Sequence, residues 1–429
     1  MVKGFKILVA GILTSCFFFP FEFYALPGIN TKMVLALLGI LFAAFRLAQK
    51  RSLCIPREML WLTMTASAVS LIALLSITLN RTPDTTYVSY LVSFFVWLSA
   101  AYAVCFVIKQ IHGGLTVRLC LDYLVAVCVF QCIAALLIDQ VIPVRLFVDR
   151  YFALDQPLLH SIKRLYGIGA SLDVAGARFS TVLAALGFFL SEINTPLPAR
   201  RRTGYIIAFL VISVIGNMIA RTTLIGAITG AGVVFTGLLF RPSAPERTGQ
   251  SASILTWIIT LTLAVTLCVI LYNTVPSARR LFRFGFEGFF SLAEKGHWET
   301  SSTDKLTQSM IVFPETLHTW IIGDGYFMNS RYDENYLGEA TIYGFYMGTD
   351  IGYLRFIFYF GVIGLIPMMG VIIYSAIVCM RHFRTERLLF LMALAVGLVV
   401  WLKVRTDIFC FFSLFLCAAA LQKNSIEHA

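Results

Sequence analysis

Asp350 stands in the stretch 348–364, GTDIGYLRFIFYFGVIG, where a polar segment of about 275–349 gives way to an apolar run continuing to about 374. A carboxylate at such a border can take a proton from a hydroxyl. Charge near hydrocarbon is costly enough that it normally faces a bundle interior or a wet cavity. The alternative is an interfacial Asp that caps the helix after it. Arginines gather on the same expected face of the chain. Arg164 and Arg178 flank the end of one loop, Arg221 occupies the turn ARTTL between two apolar runs, and Arg355 follows Asp350 by five residues. Arg279, Arg280 and Arg283 open the polar segment, and Lys403 and Arg405 fall in the last hairpin. A guanidinium presents a planar fork of donors that matches phosphate oxygens. Several around one cavity would neutralise a departing diphosphate, whereas singly each could be a long side chain snorkelling to headgroups.

Two further residues have paired readings. Tyr353, three residues after Asp350, would share its helical face and reach a sugar hydroxyl, or it is an interfacial aromatic anchor. His318 in the polar segment is an alternative base or an ordinary solvated histidine. Arg355 is a second phosphate contact or a buried ion-pair partner.

The elements that must position these groups are read from hydropathy. Hydrophobic residues make up 59% of the 429-residue chain and charged residues 13%, with a mean hydropathy of +0.82. No soluble domain has that balance. A spanning helix needs about 20 mostly apolar residues, and windows of that kind fall near 5–25, 32–48, 59–79, 87–108, 119–138, 176–193, 204–220, 222–240, 254–273, 351–374, 388–402 and 408–421. The expected fold class is therefore an all-α polytopic membrane protein with about twelve transmembrane helices, in a range of ten to twelve because the last two windows are short. The first window follows Lys3 and Lys6 but precedes no A-x-A-like cleavage site, so it is read as a span.

Basic residues orient the chain. Arg46, Lys50, Arg51 and Arg57, then Arg200, Arg201 and Arg202, then Arg241 and Arg247, then Arg381, Arg384 and Arg387 all fall on one side, which the positive-inside rule makes cytoplasmic. Both termini would be cytoplasmic. The loop near 139–175 and the segment 275–349 would lie outside. This gives three sequence regions: helices 1–9 over 1–273, a long outer loop over 274–350, and helices 10–12 over 351–429.

None of the ten cysteines falls in the outer loops; Cys54 is cytoplasmic and the others lie in or at the ends of spans, so outer disulfides are not expected. The six histidines, His112, His160, His297, His318, His382 and His428, are scattered, and no CxxC pair accompanies them. No metal site and no cofactor is expected. No P-loop or dinucleotide glycine pattern is present. Gly226, Gly230 and Gly232 offer small residues for close helix packing.

The order of these features resembles that of the O-antigen ligase and polymerase family of membrane glycosyltransferases. The outer loop contains WIIGDGYF (320–327), similar to the glycine-containing segment that family carries there, and Asp350 follows it. Ligases of the family carry a His nine residues before a G-x-x-G-like pair. Here nine residues, 352–360, separate Ile351 from Gly361-Val362-Ile363-Gly364, and the position of the His holds Asp350. That departure, together with TDIGYL, is similar to the Wzy-type polymerase. The ligase motif R-x-x-x-L is also imperfect, since Arg221 is followed by Leu224 and Ile225.

The resemblance implies a GT-C-type fold with short helices in the long periplasmic loop, and a multi-pass protein of a bacterial inner membrane. It implies transfer of a growing glycan from undecaprenyl diphosphate to a new lipid-linked repeat unit at the periplasmic face, with inversion and without metal. Under it, Asp350 would be the base, Arg221, Arg178, Arg164 and Arg355 would bind diphosphate, and Tyr353 would bind sugar. Expected partners are the lipid-linked donor and acceptor, membrane lipids, a Wzz-type chain-length regulator and a flippase, with no nucleic acid. The alternatives are a ligase acting on lipid A core and, from another class, a flippase for lipid-linked sugars. A flippase would favour internal repeats and charges along the middle of the spans, and neither is found.

Overall fold

The computed structural model describes residues 2–50, 57–153, 164–191, 197–239, 249–329 and 344–426. Arg51, Cys54, His160, Arg241, Arg247 and His428, with 154–163 and 330–343 of the two loops expected to lie outside the membrane, fall outside the described residues. Twelve apolar helices coincide with the twelve hydrophobic windows: α1 Val2–Phe18, α2 Thr31–Lys50, α3 Arg57–Asn80, α4 Tyr90–His112, α5 Val117–Gln140, α6 Leu172–Leu190, α7 Ala199–Ile219, α8 Thr223–Leu239, α9 Gly249–Thr274, α10 Gly352–His382, α11 Arg387–Val400 and α12 Phe409–Ile426. Short helices over Ile142–Tyr151, Pro276–Gly285, Glu287–Lys295, Ser301–Lys305 and Leu317–Ile321 lie in the segments between them. Among the described residues there is no strand, only isolated bridges.

Seven of these helices, α2 to α7 and α10, are long and apolar enough to cross a membrane. An eighth span results if α9 is joined to Pro276–Gly285 across a 120° bend. The chain is an all-helical, multi-pass membrane protein. All nine described cysteines are free thiols.

The helices sort into two compact units interleaved in sequence. Unit 1 comprises Met1–Thr31, Val117–Glu299 and Thr385–Val396. Its centre is the pair α6 and α8, which pack backbone to backbone because glycine removes the side chains between them. A Cβ on Gly187 would lie 2.4 Å from the Gly230 Cα, and one on Gly226 would lie 2.2 Å from Ser180. Gly226 and Gly230 therefore have the packing role their spacing suggests, while Gly232 faces open space.

Unit 2 comprises Lys32–Thr116, Thr300–Arg384 and Gly397–Ala429. It is built on α10, which packs against α3 and α12, with α12 also against α4. Helix α10 is broken: Phe360 has φ −137° and Gly361 has φ +66°, a conformation glycine adopts without cost. The break leaves carbonyls of the first half unpaired within the helix, and the G-D-G turn of the WIIGDGYF segment supplies donors. The Asp324 N–H donates to the Phe358 carbonyl at 2.6 Å and the Gly325 N–H to the Tyr359 carbonyl at 3.1 Å. The Ser76 hydroxyl reaches the Tyr359 carbonyl at 2.7 Å, and the Asn80 side chain holds the Gly323 carbonyl at 2.9 Å. Kinks of this sharpness need such partners, since an unsatisfied peptide group in a dry interior costs several kcal/mol.

Candidate functional site

In unit 1 two of the singled-out arginines meet on one ring. Arg221 lies in the turn between α7 and α8. The turn is held by the Ser180 hydroxyl on the Thr222 carbonyl at 2.7 Å, and by the Thr222 hydroxyl, which donates to Asp173. The Arg221 Nε donates to the Phe284 carbonyl at 2.9 Å, and its Nη2 lies 2.5 Å from Oε2 of Glu287. Its guanidinium is 4.4 Å from the centre of the Phe284 ring, and that of Arg164 is 5.0 Å from the same centre. Burial pushes the Arg221 pKa below the usual arginine value; Glu287 opposes the shift and neighbouring Arg164 adds to it. The Arg164 Nε is buried with no hydrogen-bond partner among the described residues.

Next to Phe284 in sequence, Phe282, Phe286, Phe289 and Phe290 line an apolar groove of about 530 Å³, closed on its other side by Leu210, Val214 and α9. The helix Pro276–Gly285 thus bears both the ring shared by the two cations, Phe284, and one wall of the groove, Phe282. The remaining arginines of that segment are spread over its outer side. Arg279 and Arg280 are exposed, and Arg283 pairs with Glu294 at 2.7 Å. That is a solvated basic face of an amphipathic helix.

Arg178 belongs to a different environment of the same unit. It is 8% exposed, and its guanidinium lies 5.6 Å from the Phe19 ring centre and 6.0 Å from that of Phe18. The structure brings Arg164 and Arg221 together and places Arg178 among the aromatic residues at the end of α1.

Unit 2 repeats the motif of two arginines on one ring. The segments around Met328 and Phe345 pair through an isolated bridge. Asp84 fixes the first of them by accepting the Phe327 N–H at 2.8 Å and the Met328 N–H at 3.2 Å. Between the two segments Arg355, 5% exposed, is sandwiched 3.7 Å from the Phe327 ring centre and 3.5 Å from that of Phe345. Arg405 lies 5.9 Å from the same Phe327 ring and 5.5 Å from Tyr87, and its Nη2 is 3.0 Å from Oδ1 of Asp407. Burial works most strongly against the Arg405 charge, but Asp407 and the hydroxyls of Tyr87 and Tyr90 together outweigh it and the pKa stands above the ordinary arginine value. Arg405 hydrogen-bonds the Tyr87 side chain, whereas the Nε of Arg355 is buried with no hydrogen-bond partner among the described residues.

Asp350 lies in the short extended link Thr349–Ile351, two residues ahead of α10. The link is anchored at both ends: the Thr349 hydroxyl donates to the Met310 carbonyl at 2.7 Å, and the Gly352 N–H donates to the Trp401 carbonyl at 2.9 Å. The N-cap position of α10 is Ile351, so Asp350 is not its capping residue. Asp350 is half-buried and acts electrostatically on Arg355, together with Asp84 and Arg405.

The expected helical face shared by Asp350 and Tyr353 is corrected here. Asp350 precedes the helix, so spacing three sets no common face. The Tyr353 hydroxyl donates to the Leu398 carbonyl at 3.0 Å and its ring packs edge-on against Trp401 at 5.7 Å, a packing role that leaves its donor occupied. His318 is exposed on the short helix Leu317–Ile321.

Sequence reasoning passed over Phe284, Glu287, Phe327 and Asp407. A signal existed for the first two: LFRFGFEGFF alternates aromatic and charged residues at amphipathic spacing. Phe327 carried none, because its partners Arg355 and Arg405 are far from it in sequence, while Asp407 stands only two residues from Arg405 and could have been paired with it. Among the described residues no group of three or more His, Cys, Asp or Glu is placed to hold a metal. No protein-family model matches the chain, and no curated protein matches it.

Proposed function

We propose that the chain is a Wzy-type polymerase that extends a polysaccharide from undecaprenyl-diphosphate-linked repeat units. The observation that supports this most is in unit 1, where Arg164 and Arg221 share Phe284, on the same short helix whose Phe282 walls an apolar groove of about 530 Å³. Two guanidinium groups and a hydrocarbon slot carried by one helix suit a ligand with an anionic head and a long apolar tail. Glu287 holds Arg221 and competes with a phosphate for it.

In this reading the acceptor sugar hydroxyl attacks the anomeric carbon of the growing glycan. The bond from that carbon to the diphosphate oxygen breaks, and undecaprenyl diphosphate leaves with both electrons of that bond. Arg164 and Arg221 stabilise its charge. The hydroxyl proton goes to a carboxylate base, the role that the sequence reading gives to Asp350. The proposal includes a GT-C-type fold with twelve spans, a bacterial inner membrane, cytoplasmic termini and a periplasmic reaction. It also includes a Wzz-type regulator and a flippase as partners.

The test is reconstitution of the purified chain with lipid-linked repeat units and no nucleotide sugar. A ladder of lengthened glycans is the expected product. Transfer of a glycan only to added lipid A core would establish the ligase alternative. Movement of intact units across the bilayer without any new glycosidic bond would establish the flippase.

A further inference from the structure

The apolar groove of unit 1 has a polar rim that the proposed reaction leaves unused. Tyr272, on the last turn of α9, and Phe290 stack in the groove wall with ring centres 5.6 Å apart and planes 17° from parallel. Two guanidinium groups stand over these rings: Arg279 is 5.4 Å from the centre of Tyr272, and Arg283 is 5.4 Å from that of Phe290. Both are held in place by the protein. The Arg279 Nε donates to the Tyr272 carbonyl at 3.1 Å and its Nη2 to the Asn273 carbonyl at 3.4 Å, while the Arg283 Nε donates to the Tyr272 hydroxyl at 3.2 Å.

Charge sets the kind of ligand. The carbonyls that fix Arg279 leave its charge uncompensated. Arg283 is shared with Glu294 at 2.7 Å, an exposed pair of a kind that contributes only about 0–1 kcal/mol and yields to a stronger acceptor. Arg280 is exposed on the same helix, so three cations accompany one carboxylate. Planar guanidinium forks match phosphate oxygens, and a zwitterionic headgroup would bring its own ammonium to this cationic rim.

Place sets the source. Helix α9 is apolar, and its Leu263, Leu267 and Ile270 are exposed, as in a helix that touches lipid. The chain then bends by 120° into Pro276–Gly285, an amphipathic helix with Leu281 buried and its arginines outside. Such a helix at the end of an apolar one lies at headgroup depth. Below the arginines the groove is hydrocarbon, with Leu261, Ala264 and Val265 of α9 on one side and Phe282 and Phe286 on the other. Its volume of about 530 Å³ is in the range that holds one drug-sized ligand, enough for one acyl chain.

We infer that groove and rim together hold an anionic phospholipid of the surrounding bilayer, with one acyl chain in the groove and the headgroup phosphate on Arg279 and Arg283. The proposed function gives the same groove to a prenyl tail, so this lipid is the occupant that the substrate displaces; the displacement alone rests on the polymerase reading.

The test is native mass spectrometry of the full-length chain in detergent micelles, titrated with phosphatidylglycerol or with phosphatidylethanolamine of the same acyl chains. Phosphatidylglycerol is expected to give one saturable adduct, with phosphatidylethanolamine at least about tenfold weaker, the worth of one charge-assisted bond. The double variant Arg279→Gln/Arg283→Gln is expected to lose that preference, and Ala264→Trp, which fills the groove, to lose the adduct. Leu263→Trp, at an exposed position of the same helix outside the groove, should leave both unchanged. If the double variant loses its monodisperse elution, Arg283→Gln takes its place, since it removes only an exposed ion pair.

The site is overturned by equal affinity for the two lipids, by an adduct that survives Ala264→Trp, by a preference that survives the arginine variants, or by the absence of a saturable adduct. Farnesyl diphosphate is expected to displace bound phosphatidylglycerol. If it does not while the other results hold, the phospholipid site stands and the prenyl assignment of the groove falls. A chain that makes a glycan ladder with no lipid preference does the opposite.

Discussion

Phe284 in unit 1 and Phe327 in unit 2 are each shared by two arginines, but the charges are sheltered differently. Around Phe284 the counter-charge is local and reachable: Arg221 is bonded to Glu287, whose side chain is 36% exposed. Around Phe327 the inner arginine has two ring faces instead, 3.7 and 3.5 Å away, and is almost wholly enclosed. A cation over an aromatic face gains about 0.5–1 kcal/mol at exposed sites and about 2 or more when desolvated. Arg355 is therefore held by its surroundings as much as it acts on them, whereas Arg221 can exchange a carboxylate for a phosphate. The same residue type is a fixed charge in one unit and, under the proposed function, an exchangeable clasp in the other.

Substitutions separate these roles. Asp350→Asn tests whether the enclosed charge of unit 2 takes part in chemistry. Chain lengthening is expected to fall by about 10²–10⁴-fold, the usual value of a positioned general base, with single repeat units persisting on the outer surface. A variant that still makes long chains would remove Asp350 from the reaction. Arg221→Ala is expected to cut lengthening by about 10²–10³-fold, as for loss of one preorganised donor to a developing anion, while thermal unfolding shifts little because a partly exposed ion pair contributes only about 0–1 kcal/mol.

Arg355→Ala should show the reverse balance. Removing a long side chain from between two rings is comparable to truncating a buried Met, about 2–5 kcal/mol, so a lower unfolding temperature is expected, with Arg355→Met recovering most of it. Equal unfolding temperatures for the Arg221 and Arg355 alanine variants would erase the contrast. The smallest effect is expected of Glu287→Gln. Without the competing carboxylate, Arg221 should bind a short-chain prenyl diphosphate a few-fold more tightly. Weaker binding would make Glu287 an organiser of the site.

Much of the architecture was legible because lipid imposes a simple pattern: each hydrophobic window became a helix, down to the short last pair. The clustering of charge was legible only in part. Arg221 could be singled out because a turn between two apolar runs leaves it little freedom, yet its companion Arg164 and counter-ion Glu287 come from segments 57 and 66 residues away. Arg178 looked equivalent in sequence and is packed among Phe18 and Phe19. The break at Gly361 was hidden, since GVIG reads as four more apolar residues. Only the G-D-G turn against the Phe358 and Tyr359 carbonyls shows that the glycine ends one helix and begins another. Tyr353 was misplaced for a related reason: its spacing from Asp350 assumed a helix that starts two residues later.

The split in α10 also constrains how the polypeptide is made. Its first half presents carbonyls that the turn at Asp324 and Gly325, synthesised some thirty residues earlier, satisfies together with Ser76. Until that turn arrives, these groups have no place in hydrocarbon. Biogenesis should therefore stall at a loosely inserted intermediate whenever the turn is lengthened, well before any catalytic step is reached.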